Sequence, residues 1–94
     1  MPRAVVRFAD YSAGHCFHPR PNNEASGNVF INSRGAHRVG DYWPSHTCGD
    51  DTHDGVQASG SPNIFVNNRA LARVGDSISC GDTNGQGSPN VYAN

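Results

Sequence analysis

Five histidines and three cysteines stand in this 94-residue chain, and three of the eight fall in register. His15 follows Asp10 by five positions, His46 follows Asp41 by five, and Cys80 follows Asp76 by four. A single histidine in a polar loop is ordinarily just a solvated, titratable side chain. Three ligand-type residues at equivalent positions point instead to a shared metal ion. Imidazole nitrogen and thiolate sulfur together suit zinc, which needs no redox partner and closes its shell with four ligands. His53 is the fourth donor we expect, from the loop Cys48-Gly49-Asp50-Asp51-Thr52-His53-Asp54-Gly55. Cys48 is its rival, because an extended segment sends residues two apart to the same side. Cys16, beside His15, should point elsewhere. Asp50, Asp51 and Asp54 read as a solvated turn or as acceptors for an imidazole N–H. His18 and His37 have no counterpart in register and are expected at the surface.

The elements that position these residues repeat. Ser26-Gly27-Asn28-Val29-Phe30-Ile31-Asn32 is followed by Ala36-His37-Arg38-Val39-Gly40-Asp41. The same order returns 35 positions on, as Ser61-Pro62-Asn63-Ile64-Phe65-Val66-Asn67 and Ala72-Arg73-Val74-Gly75-Asp76. A third first half, Gly87-Ser88-Pro89-Asn90-Val91-Tyr92-Ala93-Asn94, closes the chain, and its second half, Val6-Arg7-Phe8-Ala9-Asp10, opens it. The chain therefore reads as one domain, 1–94, of three units: about 87–94 plus 1–16, 26–48 and 59–81. The split unit requires the two ends to lie side by side. Each unit reads as a β-hairpin, a short β-prone run bounded by turn formers and then a return strand. No window carries an apolar 3.6-residue period with caps, so no helix is expected. The fold class is all-β, with pseudo-threefold hairpins and long loops after each Asp that meet at the metal.

Composition narrows the function. Only 35% of residues are hydrophobic, with 11 Gly and 6 Pro. A core drawn from so few residues calls for a staple. Seven basic and eight acidic residues nearly cancel, and no basic run follows a phosphate backbone, which argues against nucleic acid. All seven basic residues are Arg, the residue of fixed bidentate hydrogen bonding. An odd number of Cys argues against a disulfide framework and for a reducing compartment. No apolar stretch is long enough to span a bilayer, and no signal-peptide region opens the chain. Synthesis in a cytoplasm is expected, with any exit by another route.

No phosphate loop, nucleophile elbow or paired-carboxylate motif is present. Four protein ligands on a metal leave no open position for a substrate, so the expectation is a protein without enzymatic activity or small-molecule substrate. Two other classes remain in view. A small zinc hydrolase would need a metal-bound water and an open cleft. A receptor- or carbohydrate-binding module would use Trp43, Tyr42 and Tyr11.

The motifs quoted above, with Ser79-Cys80-Gly81 and Gly14-His15-Cys16, resemble those of the PAAR-repeat proteins over nearly the whole length. The name-giving Pro-Ala-Ala-Arg reads Gly35-Ala36-His37-Arg38 in one copy and Ala70-Leu71-Ala72-Arg73 in the other. The resemblance implies a small cone with one structural zinc near its apex, held by three His and one Cys, here His15, His46, His53 and Cys80. It implies a place on the trimeric β-helical spike of a type VI secretion system or a contractile phage tail baseplate. There the protein sharpens a spike that pierces a target cell envelope. The strands suggest how it would dock. Phe30, Phe65 and Tyr92 alternate with Val29, Ile31, Ile64, Val66, Val91 and Ala93, so both faces of each strand are apolar. A small cone has one interior, and the other face is expected to meet the spike, one copy per trimer.

Overall fold

A computed structural model of the chain describes residues 2–14, 19–48 and 51–94, with the backbone alone at 46–48 and 51. The domain measures 37 × 26 × 22 Å. Its strands are β1 (Arg3–Ala4), β2 (Phe30–Ile31), β3 (Arg34–Gly35), β4 (Tyr42–Cys48), β5 (Asp51–Val56), β6 (Phe65–Val66), β7 (Arg69–Ala70) and β8 (Tyr92–Ala93). No helix occurs among the described residues, and none is long and apolar enough to cross a membrane.

Three short antiparallel hairpins share one register. Phe30 faces Gly35 and Ile31 faces Arg34; Phe65 faces Ala70 and Val66 faces Arg69; Tyr92 faces Ala4 and Ala93 faces Arg3. The third pair joins the two ends of the chain, as the split repeat required. In the continuous units the turns are Asn32-Ser33 and Asn67-Asn68, all four at φ between 52° and 67°. Two successive left-handed residues make the turn whose twist suits a two-residue hairpin, and Asn tolerates that region best among residues with a Cβ.

The hairpins close around an axis through backbone hydrogen bonds. Val6 N donates to Ala72 O at 3.0 Å, Ala72 N to His37 O at 2.9 Å, and His37 N to Val6 O at 3.1 Å. Each of these residues is 0% exposed. Beside this ring lie Val5, Ala36, Val66, Leu71 and Ala93, with Val29, Ile31, Ile64 and Val91 packed against them. The aliphatic face of every first strand thus turns inward, while Phe30, Phe65 and Tyr92 remain 59%, 60% and 59% exposed.

Around the core runs a polar belt built from six of the seven arginines. Arg7, Arg38 and Arg73 each hold the Asp three residues on, Asp10, Asp41 and Asp76, through two guanidinium nitrogens and the backbone N–H. A second Arg reaches each Asp from the next unit: Arg34 to Asp10 at 3.1 Å, Arg69 to Asp41 at 2.8 Å and Arg3 to Asp76 at 3.5 Å. Each inter-unit contact links one unit to the next, and together they form a closed cycle.

Two sequence expectations change here. The segment after Asp41 is not a loop but the longest hairpin, β4–β5, with a register irregularity between Trp43 and His46. Its alternation is hidden by Pro44 and by polar residues. His37 is not a surface residue: its ring is fully buried edge-on to Trp43, with centroids 5.2 Å apart. His18 lies outside the described residues.

Two stability predictions follow from the belt and the turn. Burial pushes the Asp41 carboxyl up, but hydrogen bonds from Arg38 hold it below its ordinary 3.8. Its contribution is therefore present above pH 3.8 and is lost as pH falls through the depressed value. Asp41→Ala should cost roughly 3–5 kcal/mol, because it leaves Arg38 buried and uncompensated. Arg3→Ala, at a contact half in solvent, should cost under about 1 kcal/mol. Chemical denaturation of both variants measures the contrast. Separately, Ala9 stands at φ 69° where the other units place Gly40 and Gly75 at 90°. Ala9→Gly should raise the melting temperature by several degrees, since an L side chain in that region costs about 1–2 kcal/mol.

Candidate metal centre

Each Asp of the belt starts a segment that leaves the threefold frame and returns to it at a buried amide residue. Asp10 O accepts from Asn22 N, Asp41 O from Gln57 N and Asp76 O from Asn84 N, at 2.9–3.0 Å. The side chains lock the feet further. Asn22 and Asn84 donate to the carbonyls of Arg7 and Arg73, and Gln57 to those of Ser59 and Ser77. The sequence hid these anchors because the three segments differ in length. The four candidate ligands lie on these segments.

In β4–β5, His46 stands directly opposite His53, whereas Cys48 stands opposite Asp51 beside the turn. His53 is half-buried. The third segment is laid along β5. Ser79 N donates to Val56 O at 2.9 Å, Val56 N donates to Ser79 Oγ at 2.9 Å, and Gln57 bridges Ile78. A tight turn follows, with Gly81 at φ 99° and its N–H on Ile78 O. Gly55 lets this turn approach: a Cβ there would stand 3.4 Å from Cys80 Cβ and 3.2 Å from Ile78 Cγ2 and Ser79 Oγ. Residues 53 and 55 share a face of the strand. Cys80, itself half-buried, therefore lies over the face of β5 that carries His53.

The first segment is tied to the third. Ser12 bridges Asn84, Ala13 N donates to Thr83 O at 2.8 Å, and Gly14 N donates to the Asp82 carboxylate at 3.0 and 3.1 Å. Asp82 is 4% exposed and also takes Thr83 N, so it anchors the residue before His15 two positions beyond Cys80. Nothing in the sequence pattern singles out Asp82. His15, Cys16 and Asp50 lie outside the described residues, and His46 and Cys48 are described by backbone alone. Among the described residues no three His, Cys, Asp or Glu side chains form a metal-holding group. The structure lays Cys80 against β5 at Gly55, ties Gly14, the residue preceding His15, to Asp82, and sets the His46 backbone across from His53. Three imidazoles and a thiolate are donors that fit zinc.

The aromatic residues divide differently from expectation. Trp43 is 2% exposed and donates its Nε1–H to Gln57 Oε1 at 3.2 Å, so it belongs to the interior rather than to a receptor-facing surface. Tyr11 and Tyr42 are exposed.

No curated protein matches the chain at a significant level. The family model of the PAAR motif matches residues 18–84, well over half of the chain, and covers two of the three units together with His46, His53 and Cys80. With an all-β fold of repeated hairpins beneath that match, the chain belongs to the PAAR-motif family, whose motif is associated with spike-tip proteins of type VI secretion and contractile systems.

Proposed function

We propose that the protein is the structural tip that caps and sharpens a trimeric β-helical spike, one copy per trimer, for penetration of a target cell envelope. The observation that carries this reading is the aromatic triad. Phe30, Phe65 and Tyr92 occupy the same position in three hairpins related by an approximate threefold axis, and their exposure agrees within one percentage point. An exposed apolar patch on a small protein usually meets another protein. A partner with three equivalent chain ends would meet three equivalent contacts, and its open strand ends need covering. The aliphatic set Val29, Ile31, Ile64, Val66 and Val91 packs against the core, which makes the aromatics the better docking candidates.

In the same reading one structural zinc is held by His15, His46, His53 and Cys80, and the protein has no catalytic role. The ion would cross-link three segments of a domain in which only 35% of residues are hydrophobic. That suits a tip that bears force with a small core. The chemistry it supplies is bonding strength; the side chains supply direction. Phage tail and secretion spike are equally served by this architecture.

Two measurements test the proposal. Phe30→Asp with Phe65→Asp should abolish co-purification with a trimeric spike protein while melting and metal content stay near wild type; retained binding by the folded variant would rule the triad out as the docking surface. Binding of the wild type should change little with salt, because the contact is mainly apolar. Elemental analysis should find about one zinc per chain, and Cys80→Ser or a strong chelator should lower the melting temperature by tens of degrees. A metal-free preparation with an unchanged melting curve would remove the structural zinc.

A further inference from the structure

A serine, an asparagine and an arginine recur at every junction between units, and two of the three junctions are filled alike. Where the third unit meets the second, Asn67 Oδ1 accepts from Ser26 Oγ at 2.7 Å and from Arg38 Nη1 at 2.8 Å, while Asn67 Nδ2 donates to Asn28 Oδ1 at 3.0 Å. Where the second unit meets the split one, Asn32 Oδ1 accepts from Ser88 Oγ at 2.6 Å and from Arg7 Nη1 at 3.3 Å, while Asn32 Nδ2 donates to Asn90 Oδ1 at 2.9 Å. Each seated side chain is a primary amide. Its oxygen takes two donors and its nitrogen meets one acceptor, as an amide can.

The third junction has the same socket without the amide. Ser61, Asn63 and Arg73 stand 35 positions after Ser26, Asn28 and Arg38. Ser61 is 2% exposed and Arg73 7%, so the socket walls are packed in place. Yet Ser61 Oγ donates only to Asn63 Oδ1, at 3.2 Å. Arg73 uses Nε and Nη2 on Asp76 and Gly60 O, and its Nη1 has no hydrogen-bond partner in the protein. Asn94 is in register with Asn32 and Asn67, but it is exposed and its side chain makes no hydrogen bond. Asn32 and Asn67 stand in left-handed backbone at φ 52° and 53°; Asn94 does not. The belt is loosest at the same seam, where Arg3 approaches Asp76 at 3.5 Å against 3.1 and 2.8 Å elsewhere.

We infer that the third junction is an open carboxamide socket that takes an asparagine or glutamine side chain from the docking partner. The two filled junctions define the ligand: Ser61 Oγ–H and Arg73 Nη1–H for its oxygen, Asn63 Oδ1 for its nitrogen. A carboxylate would satisfy the donors but set a second acceptor against Asn63 Oδ1. The socket is continuous with the aromatic triad, since Asn63 comes two residues before Phe65 and Asn94 two residues after Tyr92. The identity of the partner rests on the proposed docking; the socket itself does not. A neutral amide adds direction to an apolar contact without making it sensitive to salt. Of three equivalent partner chains a single one can fill the socket, because the other two meet junctions already occupied by Asn32 and Asn67.

Acetamide serves as the probe. It is titrated into the metal-replete protein while NMR follows the Arg73 side chain and the backbone amides of Asn63 and Ile64, both of which donate to Ser61 Oγ. A saturable shift is expected, lost in Asn63→Ala and absent with N,N-dimethylacetamide, which has no hydrogen to donate. Asn63→Ala should melt close to wild type, whereas Asn28→Ala, at a filled junction, should melt several degrees lower. Affinity for a trimeric spike protein should fall about tenfold in Asn63→Ala. No saturable shift in the wild type would overturn the socket. Equal melting losses in the two variants, with probe binding that appears only after Asn94→Ala, would mean that Asn94 fills the junction from within, and the open site would be refuted. Unchanged spike affinity in Asn63→Ala would refute the partner assignment. Failure of the docking reading itself shows separately, as retained spike binding by the Phe30→Asp, Phe65→Asp protein.

Discussion

A carboxylate with almost no access to water must be matched by cations, and that constraint organises this protein three times over. Asp10, Asp41 and Asp76 are each held by an Arg three residues earlier and approached by a second Arg from the neighbouring unit. The first contact shapes a unit locally; the second binds the units into a cycle. Buried pairs of this kind contribute more to specifying one arrangement than to net stability, because desolvation offsets much of the attraction. With an apolar core of small aliphatics, a fully satisfied polar belt supplies the discrimination that packing alone would not.

The belt also determines where variation is tolerated. The backbone of each Asp accepts from a buried amide residue, so each excursion is clamped at its foot whatever its length. The frame keeps approximate threefold symmetry while the excursions lose it. One becomes the β4–β5 hairpin with two histidines, one a tight turn with Cys80, and one the segment leading to His15. Four candidate donors from three segments are possible only because the middle one doubles back. Gly55 and Asp82 then fix how closely the segments approach, one by lacking a side chain and the other by gripping Gly14.

The repeats were legible in the sequence because a hairpin imposes local rules. Asn at the turn, β-prone residues before it and Arg-x-x-Asp after it recur at fixed spacing. The closure of the split unit, Arg3 and Ala4 on Ala93 and Tyr92, could be read from order alone. The arrangement of the candidate site was less accessible. Asn22, Gln57 and Asn84 act alike in space but sit at unequal distances from their Asp residues, so no spacing reveals them. The β4–β5 hairpin is interrupted by Pro44 and consists mostly of polar residues beyond Trp43, so no apolar alternation announces it. His37 was misplaced because one histidine in a polar stretch looks solvated; its burial comes from Trp43 and Val6, far apart in sequence. The inward turn of the aliphatic strand face was undecidable from alternation, which yields two faces and not their assignment.

We propose that the frame brings His15, His46, His53 and Cys80 to one zinc ion. X-ray absorption at the zinc edge, on protein purified with its metal, tests that most directly. The result expected is a four-coordinate zinc with one sulfur at about 2.3 Å and three nitrogens at about 2.0–2.1 Å, losing its sulfur shell in Cys80→Ser. Two sulfurs, an oxygen in place of a nitrogen, or a sulfur shell unchanged by that substitution would contradict it.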